Sequence, residues 1–159
     1  MTDEMDDFAS QPGKPTQFGL VTGEINAIAP GKRMLSAMSP TIVLDPKGDL
    51  LLVVGSRGGP RIITSVAQVI LNVIDHHLSL DEAMSEPRIH HQAWPDKMSY
   101  EPNGLSFATV DSLRAMGHRI EAAPFEPGGF VGRVILVGRV ADGWEGVVDP
   151  RTSGGAAGY

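Results

Sequence analysis

Residues 55–64 read GSRGGPRIIT, directly after the apolar run LLLVV of residues 50–54. Gly58 and Gly59 are adjacent, so their main-chain N–H groups stand without side chains to screen them. At the positive end of a helix, such amides suit a negative oxygen, whether on a phosphate or on a tetrahedral intermediate. An ordinary strand-to-helix turn is the other reading of the same residues. No GK[ST] follows, so this is not a Walker loop. Residues 4–8 (EMDDF) carry Glu4 and Asp7, carboxylates beside an aromatic. That grouping suits an ammonium ion or a metal, or else is a solvated acidic loop. In LSAMSP (residues 35–40), Ser36 and Ser39 either donate to a carboxylate or cap a turn. The pairs His76–His77 and His90–His91 each point apart on a helix or a strand, so no metal site is assigned to them. A Ser–His–Asp reading finds no supporting pattern.

The elements that must position these residues follow from periodicity and turn chemistry. TIVL (Thr41–Leu44) and residues 50–54 are apolar runs joined by DPKGD, with Pro46 and Gly48 at turn positions, which predicts a hairpin. From Pro60 to about His77, Ile62, Ile63, Val66, Val69, Ile70, Val73 and Ile74 recur at helical spacing, with Pro60 in the first turn. A short helix follows over Leu80–Ser85, capped by Ser79 and stopped by Pro87. Residues 88–94 and 98–100 read as strands about a turn at Pro95, residues 109–116 as a helix ended by Gly117, and residues 119–122 as a strand. Residues 132–140 and 144–148 form a second hairpin through ADG. Residues 1–15, 18–30 and the Gly-rich tail show no period. The order predicts an α+β layered fold.

Composition narrows the function. Thirteen basic against nineteen acidic residues give a net charge of −6, which speaks against nucleic acid and against an anionic membrane surface as partners. Without cysteine there are no disulfides, thiolate zinc sites or cysteine nucleophiles. No apolar run approaches the length of a membrane span, and the acidic start MTDEMDDFAS is unlike a signal peptide.

Taken in order, MDDF, GKRMLSAMSPTIV, VVGSRGGPRIIT, EAMSEPRIHHQAWPD and DPRTSGGAAGY resemble the small subunit of the γ-glutamyltransferases (γ-glutamyltranspeptidases, glutathione hydrolases) from end to end. The resemblance implies an N-terminal-nucleophile hydrolase, an αββα sandwich made after a precursor cleaves itself. Residues 1–159 would be the carboxy-terminal part of its small-subunit domain, lacking the upstream strands. A new amino-terminal threonine attacks the γ-glutamyl amide of glutathione or a related compound, with its own α-amine as base. The acyl group then passes to water or to an acceptor amine. No cofactor is implied. The partner is the large subunit of the same precursor, and the family's location is periplasmic or extracellular. By motif position, Asp7 holds the substrate α-ammonium with Glu4 assisting, Ser36 receives the α-carboxylate, and Gly58 and Gly59 form the oxyanion hole.

Three departures from the pattern stand out. Ala37 replaces a second serine, a loss of one donor that costs on the order of 1 kcal/mol of recognition. Arg57 replaces a proline, adding charge near the carboxylate or facing solvent. The nucleophilic threonine lies upstream of MDDF in the family, and Thr2 is too close to that motif to serve. The expectation is therefore binding geometry without turnover in this chain alone, with apolar surface and strand edges left uncovered. Two other readings compete: a cephalosporin (glutaryl) acylase of the same superfamily, and a non-catalytic amino-acid-binding remnant. An in-frame upstream threonine would separate the remnant from the enzyme.

Overall fold

The computed structural model describes residues 5–123 and 131–158. In chain order its strands and α-helices are β1 (Thr41–Leu44), β2 (Leu50–Arg57), α1 (Arg61–Ile74), α2 (Leu80–Ser85), β3 (Ile89–His90), β4 (Met98–Tyr100), α3 (Phe107–Ala115), β5 (Ile120–Ala122), β6 (Arg133–Val140) and β7 (Gly143–Val148).

The two hairpins merge into one antiparallel sheet of order β1-β2-β6-β7. At the first turn Gly48 N–H donates to Asp45 O (2.9 Å), and Asp45 Oδ1 accepts from the Lys47 and Asp49 amides. One face of the sheet carries Leu52, Val54, Val134, Leu136 and Val147, and α1 and α2 cover it with Ile62, Val66, Val69, Leu80 and Met84. This is the core. Burying a side chain such as Leu52, at 1% exposure, contributes about 2–3 kcal/mol. Ser79 and Glu82 form a reciprocal capping box that starts α2. A smaller sheet, β3-β4-β5, pairs β3 with β4 antiparallel and β4 with β5 in parallel, with α3 as the crossover.

The opposite face of the larger sheet is apolar and open. Ile42, Val53 and Val137 lie in register across three strands and are 67, 42 and 41% exposed. Leu44, Ile135 and Trp144 extend the exposed apolar surface. Among the described residues, helices lie on one side of this sheet and no element covers the other. No helix among the described residues is long and apolar enough to cross a membrane.

Several boundaries differ from the sequence reading. β2 continues through Gly55 and Ser56 to Arg57, because those residues pair with Ile135, Val134 and Arg133 of β6. Gly55 is thus a strand residue, and only Gly58 and Gly59 break the chain. Helix α1 ends at Ile74, and Ile63 on its predicted apolar stripe is 53% exposed. The third helix starts at Phe107, because Ser106 caps it by accepting from Thr109 N–H. Only Ile89 and His90 of residues 88–94 form a strand. The amino-terminal segment, read as loop, contains two single-turn 3-10 helices, Met5–Asp7 and Glu24–Asn26.

Candidate active site

Where β2 turns into α1, the chain passes Gly58 (φ 132°) and Gly59 (φ 59°), both in the region closed to most side chains. A Cβ on Gly59 would lie 2.6 Å from Cε2 of Phe18, so the ring is in contact with the glycine itself. The carbonyls of Gly58 and Gly59 accept from Arg61 and Ile62 N–H at 3.3 and 3.1 Å, within the first turn of α1. Their own N–H groups have no acceptor among the described residues. Two amides without a partner among the described residues, at the N-terminal end of a fourteen-residue helix, have the chemistry to cradle negative charge.

These glycines open onto a cleft of about 810 Å³ that is also lined by Asp7, Ser36, Ala37 and Arg57. Asp7 ends the first 3-10 turn and is half-buried, and its carboxylate has no partner among the described residues. Ser36 Oγ accepts from Met38 N–H (3.2 Å), and Ser39 donates to Ala37 O, so both hydroxyls serve local turns. The Ser36 proton has no acceptor among the described residues and is available to a ligand. Ala37 sets a methyl beside it. Arg57 is exposed and donates to Thr152 Oγ1 at 3.1 Å. Four sequence-selected residues, Asp7, Ser36, Gly58 and Gly59, therefore share one cleft; Glu4 lies outside the described residues.

The structure adds three features that local sequence rules missed. First, Asn26 is 5% exposed and ties the Asp7 and Leu35 backbones together. Second, His90 bridges Thr64 Oγ1 and Gln92 Oε1, each at 2.8 Å. Gln92 Nε2 donates to the Phe18 and Trp94 carbonyls, which leaves its Oε1 to accept from His90 Nε2–H. Burial holds the His90 pKa below its ordinary value, so the ring is neutral. This chain fixes the Phe18 carbonyl, whose ring covers Gly59.

The third feature is a buried ion network. Arg88 (1% exposed) meets Asp149 (0%) at 2.6 Å and donates to Gly132 O and Met84 O. Arg151 joins Asp149 to Glu101. Burial resists ionisation of Asp149, but Arg88 and the Val134 and Arg151 amides outweigh it and hold the carboxyl below its usual range. Gly132, gripped by Arg88, packs against Gly58: a Cβ on Gly58 would lie 3.0 Å from the Gly132 Cα. The network thus buttresses the amide cradle from behind. Among the described residues no cluster of His, Asp or Glu is arranged for a metal ion.

The chain resembles known proteins in sequence and in fold. The gamma-glutamyltranspeptidase family model matches residues 1–159. A glutathione hydrolase proenzyme of Escherichia coli is 48% identical over 120 residues, covering 76% of this chain and 20% of its own length. The chain spans about a fifth of the length of such curated relatives. The crystal structure of the Helicobacter pylori gamma-glutamyltranspeptidase T380A mutant superposes with a TM-score of 0.84 at 44% identity, covering 96% of this chain and 81% of that one. A cephalosporin acylase from Bacillus halodurans is more distant, with a TM-score of 0.72, 27% identity, and coverage of 84% of this chain and 24% of the other. The α+β layering, with helices on one side of an antiparallel sheet, is that of the N-terminal-nucleophile hydrolases in these transpeptidases. The chain belongs to the gamma-glutamyltranspeptidase family.

Proposed function

We propose that this chain supplies substrate recognition and oxyanion stabilisation to an enzyme that hydrolyses or transfers the γ-glutamyl group of glutathione and related amides. Asp7, with Glu4, pairs with the α-ammonium, and the Ser36 hydroxyl donates to the α-carboxylate. These contacts hold the γ-carbonyl over Gly58 and Gly59. A threonine hydroxyl, outside residues 1–159, adds to the carbonyl carbon while its α-amine takes the proton. The carbonyl electron pair moves onto oxygen, and the two glycine amides stabilise that charge. Collapse breaks the C–N bond, the leaving amine takes the proton, and an ester remains for water or an acceptor amine to attack.

The observation that carries this reading is the shared cleft: Asp7, Ser36, Gly58 and Gly59 all line it, and the Asp7 carboxylate and the two glycine N–H groups have no partner among the described residues. The exposed apolar sheet face supports the partner assignment. It would pack against the second sheet of the sandwich, with the large subunit completing the surroundings.

The test uses the complete product of the gene and a γ-glutamyl anilide. Asp7→Asn should raise KM at least about tenfold, as expected for a lost charge-assisted contact. Residues 1–159 alone should show no turnover. A wild-type-like rate from that segment, or an unchanged KM in Asp7→Asn, overturns the proposal. A glutaryl-acylase reading is favoured only by Ala37 in the cleft and by the distant acylase likeness; preference for a glutaryl over a γ-glutamyl anilide would establish it.

A further inference from the structure

We infer that Asn26 is a positioning residue that sets the spacing between the two grips on the substrate's α-carbon substituents, and so determines discrimination between γ-glutamyl and glutaryl groups. The inference rests on the substrate roles proposed for Asp7 and Ser36. Asn26 closes the second 3-10 turn and is almost wholly buried, an unusual place for a carboxamide unless it is hydrogen-bonded. Its bonds reach both walls of the cleft. Its Nδ2 donates to Asp7 O at 2.7 Å, and its Oδ1 accepts from Leu35 N–H at 3.2 Å, one residue before Ser36. Its own carbonyl accepts from Ala9 N–H at 2.8 Å.

The partners fix the orientation of the amide: a carbonyl demands a donor on one side, and an N–H demands an acceptor on the other. A hydrocarbon of equal size satisfies neither, and a carboxylate satisfies only one. Residues 5–9 and 33–38 belong to no named strand, and the bridge between Ala9 and Ala27 ties the first segment to the Asn26 turn but not to residues 33–38. One side chain therefore links the segment meant to take the ammonium to the segment meant to take the carboxylate. Displacing either backbone by a fraction of an ångström matters most for a ligand gripped at both ends. A glutaryl group, lacking the α-ammonium, is held at one end only.

The experiment compares wild type, Asn26→Ala and Asn26→Asp in the complete gene product, measuring kcat/KM on γ-glutamyl and glutaryl anilides. Partial unfolding lowers both values by the same factor and leaves their ratio unchanged. Lost positioning lowers the ratio. The expected result is a fall of about fivefold or more in the γ-glutamyl-to-glutaryl ratio, mainly through KM for the γ-glutamyl substrate. A smaller fall in both variants overturns the inference. If Asn26→Ala is insoluble, Asn26→Asp, which keeps side-chain size and the Leu35 bond, is judged by the same threshold. A wild type that shows no γ-glutamyl preference removes the substrate assignment itself, and this inference with it. A wild type with the preference and variants that retain it remove the inference alone.

Discussion

Asp149→Asn probes the support behind the amide cradle, and its cost can be worked from the contacts. Asp149 Oδ2 accepts from Arg88 Nη1 (2.6 Å) and Val134 N–H (3.0 Å), while Oδ1 accepts from Arg151 N–H and Nη1 (3.0 and 3.1 Å). A carboxamide has one oxygen, so its NH2 must face one of these donor pairs. The Arg88 guanidinium, at 1% exposure, also loses its counter-charge. Breaking a buried pair from one side costs about 3–5 kcal/mol, a large share of the roughly 5–15 kcal/mol that holds a domain together. With a urea dependence of about 2 kcal/mol per molar, the denaturation midpoint should fall by roughly 2 M at pH 7, read by far-ultraviolet circular dichroism. Glu101→Gln should cost less, because its partner Arg151 keeps bonds to Asp149 and to the Met84 carbonyl.

The sign with pH is fixed by the depressed Asp149 pKa. Its contribution is fully present above the unfolded-state value of about 3.9 and disappears as pH falls through the lower folded value. The stability gap between wild type and Asp149→Asn should therefore stay constant from neutrality down to about pH 4 and close below it. A midpoint shift under about 0.5 M at pH 7, or a gap that widens in acid, would refute the reasoning.

Gly59→Ala places a methyl at φ 59° and against the Phe18 ring, so it should cost about 1–2 kcal/mol of stability and, by shifting the amide, about 100-fold in kcat, measured with a γ-glutamyl anilide on the complete gene product. Ala37→Ser restores a donor beside Ser36; KM for the same substrate should fall about fivefold with kcat unchanged, equivalent to roughly 1 kcal/mol of binding. Val53→Asp with Val137→Asp charges adjacent positions of the exposed sheet face, so residues 1–159 should self-associate less in light scattering, while the same pair in the complete gene product should impair association with the covering sheet.

Elements whose cause is local were legible in the sequence. The Asp45–Asp49 turn, the Ser79 cap and the periodic face of α1 each arise within a few residues, and each appears in the fold. What was not legible depends on distant partners. β2 extends past Gly55 because β6, some eighty residues later, supplies the pairing. Asn26 looked like one polar residue in an irregular stretch, and only folding brings Asp7 and Leu35 to it. Arg88 and Asp149 are sixty-one positions apart, and no window rule joins a Pro-Arg after α2 to an Asp-Pro after β7. Ile63 fits the helical stripe yet lines the cleft, since a period states which residues share a face but not what the face meets.

The glycine pair shows how a structural and a functional demand can fall on the same residues without being the same demand. Positive φ at both positions and the Phe18 ring against Gly59 already exclude side chains, so the turn alone accounts for the residue type. It does not by itself call for two N–H groups without a protein acceptor at a helix start, where a capping side chain or water commonly serves. Here the capping position is Pro60, which makes no side-chain cap bond. Gly58 and Gly59 are half-buried and line the cleft shared with Asp7 and Ser36. An uncapped helix start in a cleft that Asp7 and Ser36 also line is what the proposed oxyanion role requires, and a plain turn does not by itself require it.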